Sequence, residues 1–144
     1  MPTISPYFRI PEYSPRVNHN KPLPYPEHYI NMTMSQQDFQ NAKEDITALV
    51  NEKGCHPILV RLAWHDAGCF CGESNTGGAH ALMNYESVAS HGGNAGLQIA
   101  RDLLSPIKQK YPDITCADLW QFAAVVAIEA AGGPKVTFRA GRTD

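Results

Sequence analysis

The chain has 144 residues, of which 12 are Lys or Arg and 14 are Asp or Glu, so its formal net charge is −2. A chain of this length suits one domain with a modest core. The sequence contains no run of 18 apolar residues, which argues against a membrane-spanning helix. The absence of a basic block argues against non-specific nucleic-acid binding.

Proline and aromatic residues are concentrated in residues 1–34. Seven of the 11 prolines and five of the 13 aromatic residues lie there. Proline at this density prevents helix and favours extended chain, whereas disordered segments are usually poor in aromatic residues. We therefore predict an extended Pro-rich arm over residues 1–34 that lies on a larger surface, followed by a helical domain over residues 35–144. A disordered tail is the alternative for the arm.

The N-terminal stretch and the cysteines bear on the compartment. Residues 1–34 lack the apolar segment of a secretory signal peptide. The cysteines are therefore expected to be reduced thiols in an intracellular compartment. They are Cys55, Cys69, Cys71 and Cys116. The spacing of Cys69 and Cys71 is not that of a zinc site, and no metal site is predicted.

Helical periodicity begins after Ser35, a plausible N-cap that is followed three residues later by an acidic residue. Apolar residues recur at spacings of three and four as far as Gly54, which predicts one helix ending there. A second helix is predicted from Pro57, a favoured first residue, to Gly68. Residues 69–93 are rich in Gly, Asn and Ser and are predicted to be loop.

A third helix is predicted from about Asn94, and Pro106 is expected to kink or restart it. A fourth begins at the capping sequence of residues 115–118 and ends at Gly-Gly-Pro, residues 132–134. Residues 135–138 are at most a short extended piece. The predicted fold class is therefore all-α, with four helices after the arm.

Three polar or aromatic side chains interrupt the apolar second helix. Arg61, Trp64 and His65 stand at i, i+3 and i+4, so they share one face. Burying an unpaired guanidinium is costly, so this face is expected to line a polar pocket or meet a partner. Imidazole can accept and return a proton near neutral pH, and a guanidinium one turn away can stabilise negative charge. By spacing alone, a surface arginine beside a core histidine remains the alternative.

The sequence around these residues resembles the distal-helix motif of class I haem peroxidases. It reads Ile58-Leu-Val-Arg-Leu-Ala-Trp-His-Asp-Ala-Gly68. Seven further motifs follow in the family's order, at residues 76–78, 91–97, 103–108, 114–118, 125–129, 132–134 and 141–144. The resemblance is closest to ascorbate peroxidase. It implies a two-lobed helical fold with haem b between the lobes, of which residues 35–144 match the distal lobe, and it implies reduction of hydrogen peroxide.

The resemblance implies a role for each matching residue. His65 corresponds to the distal base that takes a proton from peroxide and returns it to the leaving oxygen. Arg61 corresponds to the residue that promotes O–O cleavage, and Trp64 to the aromatic residue packed over the haem. Asn94 matches the asparagine that accepts the Nδ1–H of the distal histidine, although a helix N-cap is its alternative.

Lys53 and Cys55 resemble two residues that border the ascorbate site. By themselves they would be an ordinary lysine at a helix C-terminus and a buried thiol. Three other positions depart from the family. Ala81 stands where glycine is usual and restricts positive φ. Asn84 stands where a basic residue, Arg or Lys, is usual, and Val88 stands where an acidic residue is common.

The family's iron ligand is a proximal histidine from the second lobe, to which no histidine here corresponds. The remaining histidines are His19, His28, His56, His80 and His91. The resemblance therefore implies that the proximal half comes from another chain or from residues outside these 144, and that this chain alone is inactive. The expected protein partner is a complementary peroxidase half or a larger complex.

Two alternatives stand beside the peroxidase. One is a haem-free, catalytically silent subunit of a larger assembly, and the other is a truncated chain of an ordinary enzyme. The expected substrates of an active protein are hydrogen peroxide and ascorbate. We expect a reducing intracellular compartment, with mitochondrion or chloroplast favoured over cytosol.

Overall fold

The computed structural model describes residues 34–144, which fold into α-helices joined by turns. In chain order the helices are α1 (Gln36–Lys53), α2 (His56–Ala67), α3 (Glu86–Ala89), α4 (Leu97–Lys110) and α5 (Cys116–Ala130). All except α3 have 12 to 18 residues. The prediction of an all-α fold with four principal helices is confirmed. The predicted arm lies outside the described residues apart from Met34, whose side chain is buried.

The two predicted cap sequences begin the helices expected of them. The Ser35 hydroxyl accepts the backbone N–H of Asp38 at 3.1 Å, and the Thr115 hydroxyl accepts the N–H of Asp118 at 3.0 Å. At the end of α1, Gly54 adopts φ 61°. Glycine takes this left-handed conformation without Cβ strain, so α1 ends where the sequence predicts.

Helix α4 departs from its prediction at its start, and at its proline one of the two predicted outcomes is excluded. It begins at Leu97 rather than at about Asn94, which belongs instead to a single 3-10 turn just before the helix. The helix does not restart at Pro106 but continues for another turn. Proline removes one N–H donor, but Leu104 and Ile107 are buried on either side of it. Their packing holds both parts of the sequence in one helix.

Residues 69–93 are more ordered than the predicted loop. An antiparallel bridge joins Cys71 to Thr76 through N–H···O contacts of 2.9 and 3.3 Å. Further on, a 3-10 turn over Leu82–Asn84 leads into α3. Composition rich in Gly, Asn and Ser indicates chain reversal but carries no apolar period. It therefore gives no sign of elements as short as these.

The core lies where α2 and α5 pack together, with α1 packed on α5 beside them. Phe39 on α1, Phe122 on α5 and Phe138 form an aromatic cluster, with ring centroids 4.8 to 5.8 Å apart, within the usual range for aromatic pairs. Helix α5 is apolar around most of its circumference, as expected of a buried helix. None of the helices in residues 34–144 is long and apolar enough to cross a membrane.

Polar contacts join α1 to its neighbours. The ammonium of Lys43 lies 2.7 Å from the carboxylate of Glu129 on α5. The Asp45 carboxylate accepts hydrogen bonds from Lys110 Nζ and from the Tyr111 hydroxyl, each at 2.7 Å. The hydrogen bond from Lys110 holds the pKa of Asp45 below its ordinary value, although burial acts in the opposite direction.

The lowered pKa of Asp45 predicts a pH-dependent contribution to stability. An acid with a lowered pKa in the folded protein adds stability above its ordinary pKa, and this stability is lost as pH falls through the lowered value. We expect Asp45→Asn to reduce the free energy of unfolding at pH 7 by about 0.2–1 kcal/mol, the range of partly exposed ion pairs. The loss should shrink below about pH 4. Urea unfolding across this range measures it, and a pH-independent loss would contradict the prediction.

Candidate active site

Helix α2 carries different chemistry on its two sides. Its buried residues are Leu59, Leu62, Ala63 and Asp66. Arg61, Trp64 and His65 are more accessible, and Trp64 is 68% exposed, whereas Trp120 on α5 is 3% exposed. The indole of Trp64 therefore offers a large flat apolar surface to a ligand or a partner, beside two polar side chains.

Arg61 is fixed by the turn that precedes α4. Its Nη2 donates to the Gly93 carbonyl at 2.9 Å and its Nη1 to the Ala95 carbonyl at 3.0 Å. The Nδ1 of His91 accepts the Gly93 N–H at 3.2 Å and so caps this turn. A guanidinium has five N–H groups, so the two bonds to carbonyls orient Arg61 and leave further donors for an oxygen atom of a ligand.

Asn94 lies between His65 and the backbone of α3. Its Nδ2 donates to the Val88 carbonyl at 2.8 Å, and its Oδ1 lies 2.9 Å from His65 Nδ1. A carbonyl can only accept, so the amide nitrogen must face Val88 and the amide oxygen must face the imidazole. The proton between Asn94 and His65 therefore belongs to Nδ1 of the histidine.

This proton position decides what His65 can do. A neutral imidazole with its proton on Nδ1 has a lone pair on Nε2, which can accept a proton. The arrangement thus places a proton acceptor on Nε2 of His65, one helical turn from the guanidinium of Arg61. Such a pair can remove a proton from a bound hydroxyl and stabilise the negative charge that develops.

Asp66, the residue after His65, is buried at 4% exposure, and no role was predicted for it from the sequence. Its two carboxylate oxygens accept the backbone N–H groups of Ala81 at 3.0 Å and Leu82 at 3.2 Å. Burial raises the pKa of Asp66, and the hydrogen bonds from the backbone oppose this shift. The signal that could have indicated a buried carboxylate was the position of Asp66 four residues after Leu62, on the apolar face of α2.

One of the three positions that depart from the family, Ala81, contacts this carboxylate. Ala81 adopts φ 52° and ψ 33°, a left-handed conformation that residues with a Cβ rarely take. The sequence predicts that an alanine here resists positive φ, and the backbone takes that φ nevertheless. Asn84 is exposed and Val88 is half-buried.

Lys53 and Cys55 lie at the opposite end of α2 from His65. Lys53 ends α1 and pairs with Glu52 at 2.6 Å, a hydrogen bond that raises the pKa of Lys53. Cys55 is buried at 8% exposure, and burial raises the pKa of its thiol. Ten residues of helix separate Cys55 from His65, about 15 Å along the axis. The structure therefore does not bring these two residues together with Arg61, Trp64 and His65.

The four cysteines are unpaired and differ in burial. Cys71 is exposed, and hydrogen bonds from the side chain and backbone of Ser74 lower the pKa of its thiol. Burial raises the pKa of Cys55 and of Cys116. No group of three or more His, Cys, Asp or Glu residues within 34–144 could hold a metal ion.

These differences predict the order in which a thiol reagent labels the protein. Because the thiolate is the nucleophile, we expect iodoacetamide at pH 7 to modify Cys71 faster than Cys55 or Cys116. Peptide mass spectrometry after short exposures measures the order, with Cys71→Ser as the control that removes the fast site. Faster labelling of Cys55 than of Cys71 in the folded protein would contradict the prediction.

The comparisons with known proteins agree with the resemblance in the sequence. The family model described as Peroxidase matches residues 42–144. The chain is 55% identical over 103 residues to the probable peroxisomal L-ascorbate peroxidase 4 of Oryza sativa subsp. japonica, covering 72% of this chain and 35% of that protein. It is 47% identical over 109 residues to the cytosolic L-ascorbate peroxidase 1 of Oryza sativa subsp. indica, covering 76% and 44%.

A third relative is the chloroplastic L-ascorbate peroxidase T of Arabidopsis thaliana, 48% identical over 108 residues. The match covers 72% of this chain and 25% of that protein. The chain thus spans between a quarter and less than half of the length of these relatives. It belongs to the peroxidase family, and within that family it is similar to the ascorbate peroxidases.

Proposed function

We propose that this chain provides the distal half of a haem site in an ascorbate-peroxidase-like enzyme that reduces hydrogen peroxide. The observation that carries the proposal is the orientation of His65 by Asn94, which leaves Nε2 as a proton acceptor beside Arg61. Family membership supports peroxidase chemistry, and the names of the relatives support the ascorbate-peroxidase type.

The exposed side of α2 fits one face of a haem. The open indole of Trp64 can pack on a flat macrocycle, and Arg61 and His65 would offer an N–H donor and a proton acceptor to a bound peroxide. When bound, haem supplies the iron on which peroxide is reduced. We propose that the protein ligand of the iron would come from a complementary half, because the resemblance places the family's iron-ligating histidine in the second lobe.

The residues of this chain would move one proton across the peroxide. His65 Nε2 would accept a proton from one oxygen of the peroxide and return it to the other oxygen. The guanidinium of Arg61 stabilises the negative charge on the departing oxygen while the O–O bond breaks. Asn94 holds the proton on Nδ1 and so keeps Nε2 available throughout.

Ascorbate is the proposed source of the two electrons. The support is the name that the relatives carry and the resemblance of Lys53 and Cys55 to residues that border the ascorbate site. Lys53 is exposed and could meet an anionic reductant, whereas Cys55 is buried and could act only through the backbone around it. A reducing intracellular compartment suits the free thiols. The preference for mitochondrion or chloroplast stays a prediction, as does the complementary half or larger complex as partner.

The second candidate function is a haem-free subunit of a larger assembly. Two observations favour it. Ala81 is held in a conformation that suits glycine, at a position where the resemblance leads one to expect glycine. Several large apolar side chains are also exposed within residues 34–144, among them Trp64, Phe70 and Tyr85, and exposed apolar surface marks sites where partners bind.

Haem content decides between the two candidates. We expect the protein purified from its natural source, in its native assembly, to show a Soret band. Native mass spectrometry of the same sample gives the number of chains and the length of the chain that carries these residues. An intact, soluble assembly without haem would contradict the proposed enzyme and support the haem-free subunit.

A further inference from the structure

We propose that Asp66 is a positioning residue for His65: its carboxylate holds the turn Leu82–Asn84 so that α3 presents the Val88 carbonyl to Asn94. The inference rests on the proposed role of His65 as proton acceptor, and it adds a residue that acts on the imidazole through others.

The first step is the attachment of the turn to α2. Asp66 is buried, and a buried carboxylate is costly unless it is hydrogen-bonded. Each of its oxygens accepts a different backbone N–H, from Ala81 and from Leu82. Two bonds of this kind fix both the position and the direction of the entering chain. They also help to hold Ala81 at its unfavourable φ of 52°.

A second attachment reaches the same turn from α4. The guanidinium of Arg101 donates to the Met83 carbonyl, and the Met83 side chain is 2% exposed. The turn is therefore held through its N–H groups by Asp66 and through a carbonyl by Arg101. Its position is set by α2 and α4 together.

Hydrogen bonds continue from the turn to the imidazole. The Leu82 carbonyl accepts the Tyr85 N–H at 3.0 Å, and the Tyr85 carbonyl accepts the Val88 N–H at 3.0 Å. The Val88 carbonyl accepts from Asn94 Nδ2, and Asn94 Oδ1 accepts from His65 Nδ1. The series therefore starts and ends on adjacent residues of α2.

This closed path explains how Asp66 can act on its neighbour. The carboxylate and the imidazole project from adjacent residues of one helix, so a turn that moves relative to Asp66 also moves relative to His65. If the turn moves away from Asp66, the Val88 carbonyl moves away from Asn94, and the amide loses the contact that decides which of its ends faces His65. A free amide can present its nitrogen to Nδ1, which would favour the proton on Nε2 and remove the acceptor.

The proton position on His65 is the quantity to measure. Nitrogen chemical shifts of ¹⁵N-histidine in the full chain give the ratio of the Nδ1–H form of His65 to its Nε2–H form. We expect Asn94→Ala to lower this ratio by about 2- to 10-fold, as for the loss of one hydrogen bond. Asp66→Asn keeps the side-chain shape but replaces one acceptor with a donor, and we expect it to lower the ratio by a smaller factor.

Two further variants separate positioning from general loss of structure. Asp118 is also buried, at 5% exposure, and accepts the backbone N–H groups of Gly141 and Arg142. The matched Asp118→Asn change should leave the His65 ratio unaltered. The double variant of Asp66→Asn with Asn94→Ala should give the ratio of Asn94→Ala alone, because both changes act through the same amide.

An unaltered ratio in Asp66→Asn would overturn the proposal, as would an equal change in Asp118→Asn. If Asp66→Asn does not fold, amide exchange in the unchanged protein supplies the test. The Ala81 and Leu82 amides should exchange at least about tenfold more slowly than those of Gly77 and Gly78, and equal rates would overturn the attachment.

A protein that shows these effects but binds no haem would refute the proposed function and leave Asp66 as a positioning residue. A peroxide-active protein in which the Nδ1–H to Nε2–H ratio of His65 is independent of Asp66 would support the proposed function and refute the positioning role of Asp66.

Discussion

Replacing His65 with leucine is expected to slow the reaction of the haem-loaded protein with hydrogen peroxide by about 10²–10⁴-fold, the usual contribution of a positioned general base. Leucine occupies similar space but cannot accept a proton. Haem should stay bound, because Trp64 and the rest of α2 are unchanged. Stopped-flow absorbance at the Soret band measures the reaction, and added imidazole should restore part of the rate.

The control for this variant is His56→Leu. His56 is the first residue of α2, so the same substitution is made in the same helix, away from Arg61 and Asn94. We expect its reaction with peroxide to match the unchanged protein. A His65→Leu protein that loses haem, or that reacts at the normal rate, would contradict the assigned role of His65.

Replacing Leu59 with alanine is expected to reduce the free energy of unfolding by about 2–5 kcal/mol. Leu59 is fully buried on the face of α2 that packs on α5. Truncation removes apolar contacts and leaves a cavity, since a close-packed core relaxes only in part. Because α2 also carries Arg61, Trp64 and His65, a loss of this size is expected to weaken the site as well.

The control for the core variant is Ile99→Ala on α4. Ile99 is 59% exposed, so its truncation should change the free energy of unfolding by less than about 0.5 kcal/mol. Urea or thermal unfolding of the two variants measures both values. A similar loss at the two positions would mean that α2 does not pack in the core as described.

Both ends of α1 and the start of α5 were predictable because local chemistry sets them. Ser35 and Thr115 supply hydroxyl acceptors to N–H groups three residues on, and Gly54 can take positive φ. These signals need no knowledge of distant residues. Whether α4 continues through Pro106 or restarts there was left open, since the outcome depends on the burial of Leu104 and Ile107 against other helices.

In the candidate site, too, the features set by local sequence were predictable and those set by the tertiary fold were not. The grouping of Arg61, Trp64 and His65 follows from helical periodicity alone, within five residues of chain. Asn94 came from the resemblance, because no pattern within α2 indicates an amide 29 residues away. Asp66 was missed because its partners are backbone N–H groups of a turn that has no periodic signal. Such contacts depend on where the tertiary fold places the backbone of the turn, and the identity of the turn's side chains gives no sign of them.

The reaction of the native protein with hydrogen peroxide tests most directly whether α2 forms the proton-accepting half of a peroxidase site. The protein purified from its source in its native assembly is mixed with one equivalent of peroxide, and its visible spectrum is followed. We expect a Soret band that changes at once and returns when ascorbate is added. A haem spectrum that peroxide leaves unchanged, or the absence of haem from an intact assembly, would contradict the proposed function.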